Sequence, residues 1–149
     1  MQLAYSLNSM LDSATSHQFS IPTRIYVEDT DVGGIVYYVN YLKYMERART
    51  EWLRSIGIEK TSGFEWNIMF VVHSVDCKYL APARLDDLLE VSAQLIDVRR
   101  TWLLFEQKVM KDKQVLAQAT VKVACVNNQT LKPTRLPDVI GQRLPTIRS

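Results

Sequence analysis

The chain has 149 residues, 47% of them apolar and 23% charged, with a formal net charge of +2. That length suits one domain with a core of useful size, and the composition favours neither a disordered chain nor a membrane-embedded one. The charge is too small and too scattered to argue for a nucleic-acid surface.

Residues 1–20 carry no Lys or Arg ahead of an apolar run. They lack the pattern of a secretory signal and are read as a flexible N-terminal extension, in which His17 is given no chemical role. No run reaches the roughly 20 apolar residues of a membrane span. Cys77 and Cys125 sit in strand-like runs without metal spacing, so free thiols in a reducing, cytoplasmic setting are expected.

Residues 21–27 alternate and are rich in β-branched and aromatic types, which predicts a first strand. Next comes the run Glu28-Asp29-Thr30-Asp31-Val32-Gly33-Gly34-Ile35-Val36-Tyr37-Tyr38. Acidic residues, a diglycine and an aromatic–apolar segment lead into a helix start. Such an order can hold a carboxylate beside helix N-terminal amides while the glycines admit a ligand close to the main chain. An Asp in a Gly-rich turn can equally bond its own backbone.

Tyr41, Leu42, Tyr44, Met45, Ala48, Trp52, Leu53 and Ile56 then recur three and four apart, the stripe of a long helix. Asn40 is its expected N-cap and Gly57 its C′ residue. Lys43, Glu46, Arg47, Arg49, Glu51 and Arg54 are assigned to the outer face. After a loop or short lid over 59–66, residues 67–80 predict a long strand ended by Pro82. Phe70 and Val72 are expected on one face; Val71, His73, Val75, Cys77 and Tyr79 are expected on the other, His73 as a partnered structural or interface histidine. Residues 87–98, 102–111 and 115–126 predict further strands, joined by turns at 99–101 and 112–113. Beyond Leu131 a polar, basic tail is expected to be peripheral, with a small helix over 138–142.

The order is strand, long helix, then four strands in a predicted antiparallel meander. One wholly apolar helix face and about five strands are best satisfied when the sheet curves around the helix. The expected class is α+β, with a domain over 21–130 and a tail over 131–149.

The segment 29–38, followed by Asn40-Tyr41 and Met45-Glu46-Arg47-Ala48-Arg49, resembles the hot-dog-fold acyl-CoA thioesterases. Within them it is similar to the 4-hydroxybenzoyl-CoA thioesterase family and its Tol-Pal-associated subgroup. Tyr79-Leu80-Ala81-Pro82-Ala83-Arg84-Leu85-Asp86-Asp87 matches the way those proteins join their second and third strands. The similarity runs over residues 22–128.

The resemblance implies a hot-dog fold and hydrolysis of an acyl-CoA thioester to free acid and CoA. Asp31 would be the nucleophile or general base, and the Tyr38 amide the donor that polarises the carbonyl. Amides over 35–38 are suited to that task by the helix dipole. Gly33, Gly34, Ile35, Val36 and Tyr37 would surround the substrate, with Asp29 orienting the loop. No metal and no cofactor is expected, CoA being part of the substrate. A homodimer or dimer-of-dimers homotetramer is expected, because exposed edge strands favour self-association and hot-dog sites lie at the dimer interface. An acyl carrier protein is admitted as a further partner.

The chain departs from the Tol-Pal-associated pattern at Tyr37-Tyr38, where those members usually have Tyr-His. The second aromatic is closer to the hydroxybenzoyl type. Some hot-dog thioesterases carry their carboxylate on the central helix, which brings in Glu46, although its spacing to Arg49 is also that of an ordinary helix-surface ion pair. Arg84, with Lys78, Arg99 and Arg100, is a candidate for CoA phosphates or plain solvated charge. Phe64, Trp66, Phe70 and Tyr41 serve an acyl pocket or the core. Serine chemistry lacks its nucleophile elbow. The competing functions are a non-catalytic acyl-CoA or carrier-protein binding module, a cell-envelope interaction module, and a hot-dog dehydratase. The last needs a histidine that neither His17 nor His73 supplies.

Overall fold

The computed structural model of the protein describes residues 18–59 and 63–145. Residues 1–17 of the expected extension, His17 among them, lie outside the described set. The elements are β1 (Phe19–Arg24), a 3₁₀ turn (Val27–Asp29), α1 (Asn40–Ser55), α2 (Gly63–Trp66), β2 (Ile68–Tyr79), β3 (Leu88–Val98), β4 (Trp102–Lys111), β5 (Gln114–Asn127) and α3 (Asp138–Arg143).

α1 forms where the apolar stripe predicts it. Tyr41, Tyr44, Met45, Ala48, Trp52 and Leu53 are buried along one side, and that side rests on β1, β3 and β4. Trp52 meets Phe105 edge-on with ring centroids 5.4 Å apart, a geometry worth about 1 kcal/mol beyond the area it buries. The stripe is wider than its apolar members suggest. Arg49, assigned to the outer face, is buried as well.

The helix ends at a Schellman motif. Gly57 adopts φ +85°, its amide donates to the Arg54 carbonyl at 3.0 Å, and the Ile58 amide donates to the Leu53 carbonyl at 2.9 Å. Gly57 is the C′ residue, and only glycine takes that left-handed backbone at no steric cost.

All five strands form one antiparallel sheet in the order β1-β3-β4-β5-β2. This is the hot-dog arrangement, but not the simple meander expected from the strand succession. β2 does not neighbour β3; it crosses to the far edge and pairs with β5. The link between them is captured by the loop before α1 through an Ile35–Arg84 bridge, so no hairpin forms. β3 then takes β1 as its partner, from Phe19 opposite Ala93 to Arg24 opposite Leu88. The strand therefore begins two residues earlier than the domain boundary at 21.

β2 also corrects the expected faces. Its register slips between Val72 and Ser74, leaving His73 in a bulge and exposed to solvent. One inserted residue reverses the alternation beyond it. Phe70, Val72, Val75, Cys77 and Tyr79 therefore stand opposite Cys125, Val123, Val121, Ala119 and Ala117 on the helix side. Val71 lies on the other face, and His73 is not a buried partnered residue. Similar register irregularities fall between Leu95 and Asp97 and between Val109 and Met110.

The C-terminal segment is not peripheral. The Leu136 amide donates to the Arg100 carbonyl at 2.9 Å, and Leu136 and Ile140 belong to the buried core. Its two apolar side chains decide its position, despite the basic residues around them. Cys77 and Cys125 are both free thiols. Among the described residues, no helix is long and apolar enough to cross a membrane.

Candidate active site

The acidic loop closes on itself through Asp29. Its carboxylate accepts the Tyr26 amide at 2.8 Å, and its carbonyl accepts the Tyr37 amide at 3.0 Å. A Thr30–Val36 bridge completes the closure. Inside it, the Asp31 amide donates to the Ile35 carbonyl at 2.9 Å, and the Gly34 amide donates to the Asp31 carbonyl at 3.0 Å. Gly34 has φ +78° with open space where a Cβ would stand. The turn therefore needs glycine for its backbone and not for room.

At the tip, Asp31 is exposed. Its Oδ1 accepts the Gly33 amide at 2.9 Å, the local bond an Asp in such a turn is expected to make. Among the described residues Oδ2 receives no hydrogen bond. The carboxylate is thus fixed by one oxygen and open at the other.

The helix start is bare. The Asn40, Tyr41 and Leu42 amides donate to the carbonyls of Tyr37, Tyr38 and Val39, and no side chain caps the end. The amides of Tyr38 and Val39 have no acceptor among the described residues. Two adjacent N–H groups are left at the positive end of a long helix. Asn40, expected as the N-cap, instead reaches back 11 residues and donates from Nδ2 to the Asp29 carbonyl at 2.9 Å. The returning loop places that carbonyl beside the first turn, and the amide side chain satisfies it in preference to capping.

The two motifs that stand some fifty positions apart in the chain form one unit. The Tyr41 hydroxyl accepts the Ala83 amide at 2.9 Å, and the Ala83 carbonyl accepts the Val36 amide at 2.8 Å. Arg84 pairs with Ile35 through the main chain, which sets its exposed side chain beside the loop. Its amide donates to Asp87 Oδ2 at 2.8 Å, while Lys111 Nζ donates to Asp87 Oδ1 at 2.8 Å. Burial alone would raise the Asp87 pKa. The Lys111 and Arg84 bonds outweigh it and hold the carboxyl below its ordinary value.

A pocket of about 270 Å³ opens at this corner, lined by Ile35, Val36, Tyr38, Tyr41, Tyr79 and the 80–82 turn. Tyr79 lies edge-on to Tyr38, with centroids 5.5 Å apart, and 5.7 Å from Tyr41. Burial pushes the Tyr79 hydroxyl up to about 12. Of the aromatics considered for an acyl pocket, Tyr41 lines this one. Trp66 and Phe70 pack against the core, and the Phe64 side chain lies outside the described set.

The fold gathers Asp31, Gly33, Gly34, Ile35, Val36, Tyr37, Tyr38 and the Arg84 main chain at the head of α1. Glu46 is not among them. It stands farther along the helix, accepting the Thr50 hydroxyl at 3.3 Å. Arg99 and Arg100 line a separate cleft with Arg135, and Lys78 stands on the outer face of β2, opposite Gln118. Among the described residues, no three His, Cys, Asp or Glu side chains gather into a metal-binding group. Two features of the site are invisible to sequence reasoning. The Val39 amide carries no side-chain signature, and Asn40 has the sequence position of an ordinary cap, which conceals its clamp on Asp29.

A five-stranded antiparallel sheet with a crossover helix, whose uncapped end meets an acidic Gly-Gly loop, marks this as a hot-dog protein. A family model described as the thioesterase-like superfamily matches residues 25–144, and the chain belongs to that superfamily. It is 44% identical over 129 residues to the acyl-CoA thioesterase YbgC of Haemophilus influenzae, across 86% of this chain and 92% of that one. It is 41% identical over 123 residues to the acyl-CoA thioester hydrolase YbgC of Escherichia coli, across 82% and 92%. The crystal structure of a probable thioesterase from Bartonella henselae superposes with a TM-score of 0.76 at 34% identity, over 80% of this chain and 99% of that one.

Proposed function

We propose that this chain hydrolyses acyl-CoA thioesters to the free acid and CoA. The observation that carries the reading is the pair of unpaired amides at Tyr38 and Val39, adjoining a loop whose Asp31 carboxylate has an oxygen open to solvent. Donors preset for developing negative charge are the largest lever available for acyl transfer. The thioester carbonyl oxygen accepts from the two amides, and Asp31 attacks the carbon as nucleophile or draws a proton from the attacking water. The C–S bond then breaks and CoA leaves as the thiolate, which takes up the proton removed from water; on the nucleophilic route the acyl–Asp31 anhydride left behind is cleaved by water to the free acid and the Asp31 carboxylate. The sequence relatives named above, acyl-CoA thioesterases at 41–44% identity, support the substrate class.

Around this centre, Gly33 and Gly34 let the thioester approach the main chain, and Tyr37 flanks it. The Arg84 side chain, exposed beside the loop, serves the CoA phosphates. The enzyme works as a homodimer formed through β2. Its outer edge is unpaired in the sheet, and Met69, Val72 and Val75 are all at least 40% exposed, the features of a strand that seeks a partner. A reducing cytoplasm fits the two unpaired thiols.

The test is thiol release from a panel of aliphatic and aromatic acyl-CoAs, wild type beside Asp31→Asn, with sedimentation to give the oligomeric state. Release that depends on Asp31 supports the reading. A folded wild-type protein silent across the panel would contradict it.

A further inference from the structure

The polar side chains on the buried side of α1 are bonded, with one exception. Asn40 Nδ2 donates to the Asp29 carbonyl at 2.9 Å, the Tyr41 hydroxyl accepts the Ala83 amide at 2.9 Å, and Arg49 Nη1 donates to Gln107 Oε1 at 2.9 Å. Tyr44 is the exception. It is 1% exposed and among the largest side chains of the fully buried core, yet its hydroxyl has no hydrogen-bond partner among the described residues. Phenylalanine would fill the same space without the cost of a buried polar group left unpaired. Packing alone gives the oxygen no use.

The hydroxyl faces Asp29. Tyr44 follows Asn40 by four residues, which puts the two side chains on one face of the helix, a turn apart. Asn40 holds the Asp29 main chain, and Tyr44 stands by the Asp29 carboxylate, near it but out of hydrogen-bond geometry. That carboxylate is half satisfied. Its Oδ2 accepts the Tyr26 amide at 2.8 Å, and its Oδ1 accepts no hydrogen bond among the described residues. Burial first, and then the Asp29 charge, push the Tyr44 pKa well above the ordinary tyrosine value. The group keeps its proton and meets the carboxylate as a donor. The Tyr41 ring lies edge-on to Tyr44 with centroids 6.3 Å apart, and its own bond to Ala83 makes it a fixed flank.

A buried donor and a carboxylate oxygen side by side, each unbonded, are one small movement from a charge-assisted hydrogen bond. The partner able to move is the loop, because Tyr44 is enclosed in the core. Asp29 belongs to the closure that carries Asp31. Its carbonyl accepts the Tyr37 amide at 3.0 Å, and Thr30 bridges Val36, so a shift of Asp29 toward the helix takes Asp31 with it. We propose that Tyr44 is a positioning residue for the hydrolysis. Its hydroxyl takes Asp29 Oδ1 as the thioester is seated and so fixes the loop with Asp31 against the carbonyl. The assignment rests on the thioesterase reading, since Asp31 is the group being positioned.

The test follows kcat, KM and melting temperature in Tyr44→Phe, and repeats the comparison in an Asp29→Ala background. A hydroxyl that is only an orphan of the core can be removed with kcat unaltered and the protein as stable or more so. A positioning role predicts a fall in kcat of about tenfold, within the penalty of a misplaced catalytic group, with KM little changed and no loss of melting temperature. In the Asp29→Ala background Tyr44→Phe should have no further effect, because the acceptor through which Tyr44 acts is gone. Should Asp29→Ala not fold, Tyr44→4-aminophenylalanine, which restores a donor at the same place, should recover most of the rate lost in Tyr44→Phe. An unchanged kcat in Tyr44→Phe, an equal further loss in the Asp29→Ala background, or no recovery with the amine overturns the positioning role while leaving the hydrolase intact. A folded wild-type protein that hydrolyses no acyl-CoA overturns the thioesterase reading and the role with it.

Discussion

The two ends of α1 are built in opposite ways. At the C-terminal end every device available is used. Gly57 turns into the left-handed region, the Ile58 and Gly57 amides fold back onto the last carbonyls, and Arg143 donates to the Gly57 carbonyl at 2.6 Å from the far end of the chain. At the N-terminal end nothing caps the helix, although Asn40 stands at the first position with a side chain able to do so. It is used to hold the Asp29 carbonyl instead. A fold that closes one end so thoroughly has the means to close the other. Leaving the Tyr38 and Val39 amides bare costs helix stability and leaves two donors for a ligand.

That contrast can be broken from either side. Among substitutions at the two helix ends, the largest effect is expected from Tyr37→Asp, which offers a side-chain acceptor to the Val39 amide. Occupying that donor should lower kcat by about 10²-fold, the scale of losing one oxyanion donor. The same change should stabilise the protein by about 1 kcal/mol as a normal N-cap. A thermal melt run beside a rate assay reads both, and a rise in stability with no fall in rate would mean the amides are not used.

Asn40→Ala releases the clamp on Asp29, and the half-buried carbonyl loses one of its two donors. A loss of about 1–2 kcal/mol in stability is expected. The fall in kcat should exceed any change in KM, because the loop that carries Asp31 would no longer be fixed to the helix. Gly57→Ala attacks the closed end. A Cβ there meets only Arg143, at 3.6 Å, so the cost is the left-handed backbone, about 1 kcal/mol. Denaturant melts should register it, with kcat unaltered.

Lys111→Met lies away from both ends and gives the smallest change. Asp87 keeps a lowered pKa through Lys111 and the Arg84 amide. A carboxyl depressed in the folded state contributes stability above its unfolded value, and that contribution is lost as pH falls through the folded value. The variant should therefore be less stable than wild type by about 0.5–1 kcal/mol at pH 7, a modest figure because Lys111 is partly exposed. The difference should fade below about pH 4, the ordinary aspartate range.

Much of this was legible before any coordinates. The stripe from Tyr41 to Ile56 defines α1, the Gly57 stop holds in detail, and the tract from Asp29 to Tyr38 points to the site because its residue types have few other uses together. What stayed hidden has physical causes. An inserted residue at His73 leaves no mark in a run that is β-favouring on both faces, so the alternation expected across it fails beyond Val72. Strand succession does not encode neighbours, and the capture of the 80–87 link by the loop at Ile35 decided that β2 pairs with β5. Main-chain donors carry no letter in a sequence. Arg49 read as a surface charge because helix periodicity tolerates one polar residue beside Ala48. The signal lay elsewhere, in Gln107, a glutamine in the otherwise apolar row of Leu103, Phe105 and Val109.

The central claim is that the open carboxylate and the bare helix end act together on a thioester. It is tested most directly by measuring turnover and CoA affinity side by side in Asp31→Asn. The account predicts a loss of about 10³-fold or more in kcat, within the range of a positioned acid–base group, with CoA affinity and melting temperature close to wild type. Turnover that survives the substitution would contradict it and remove Asp31 from the chemistry.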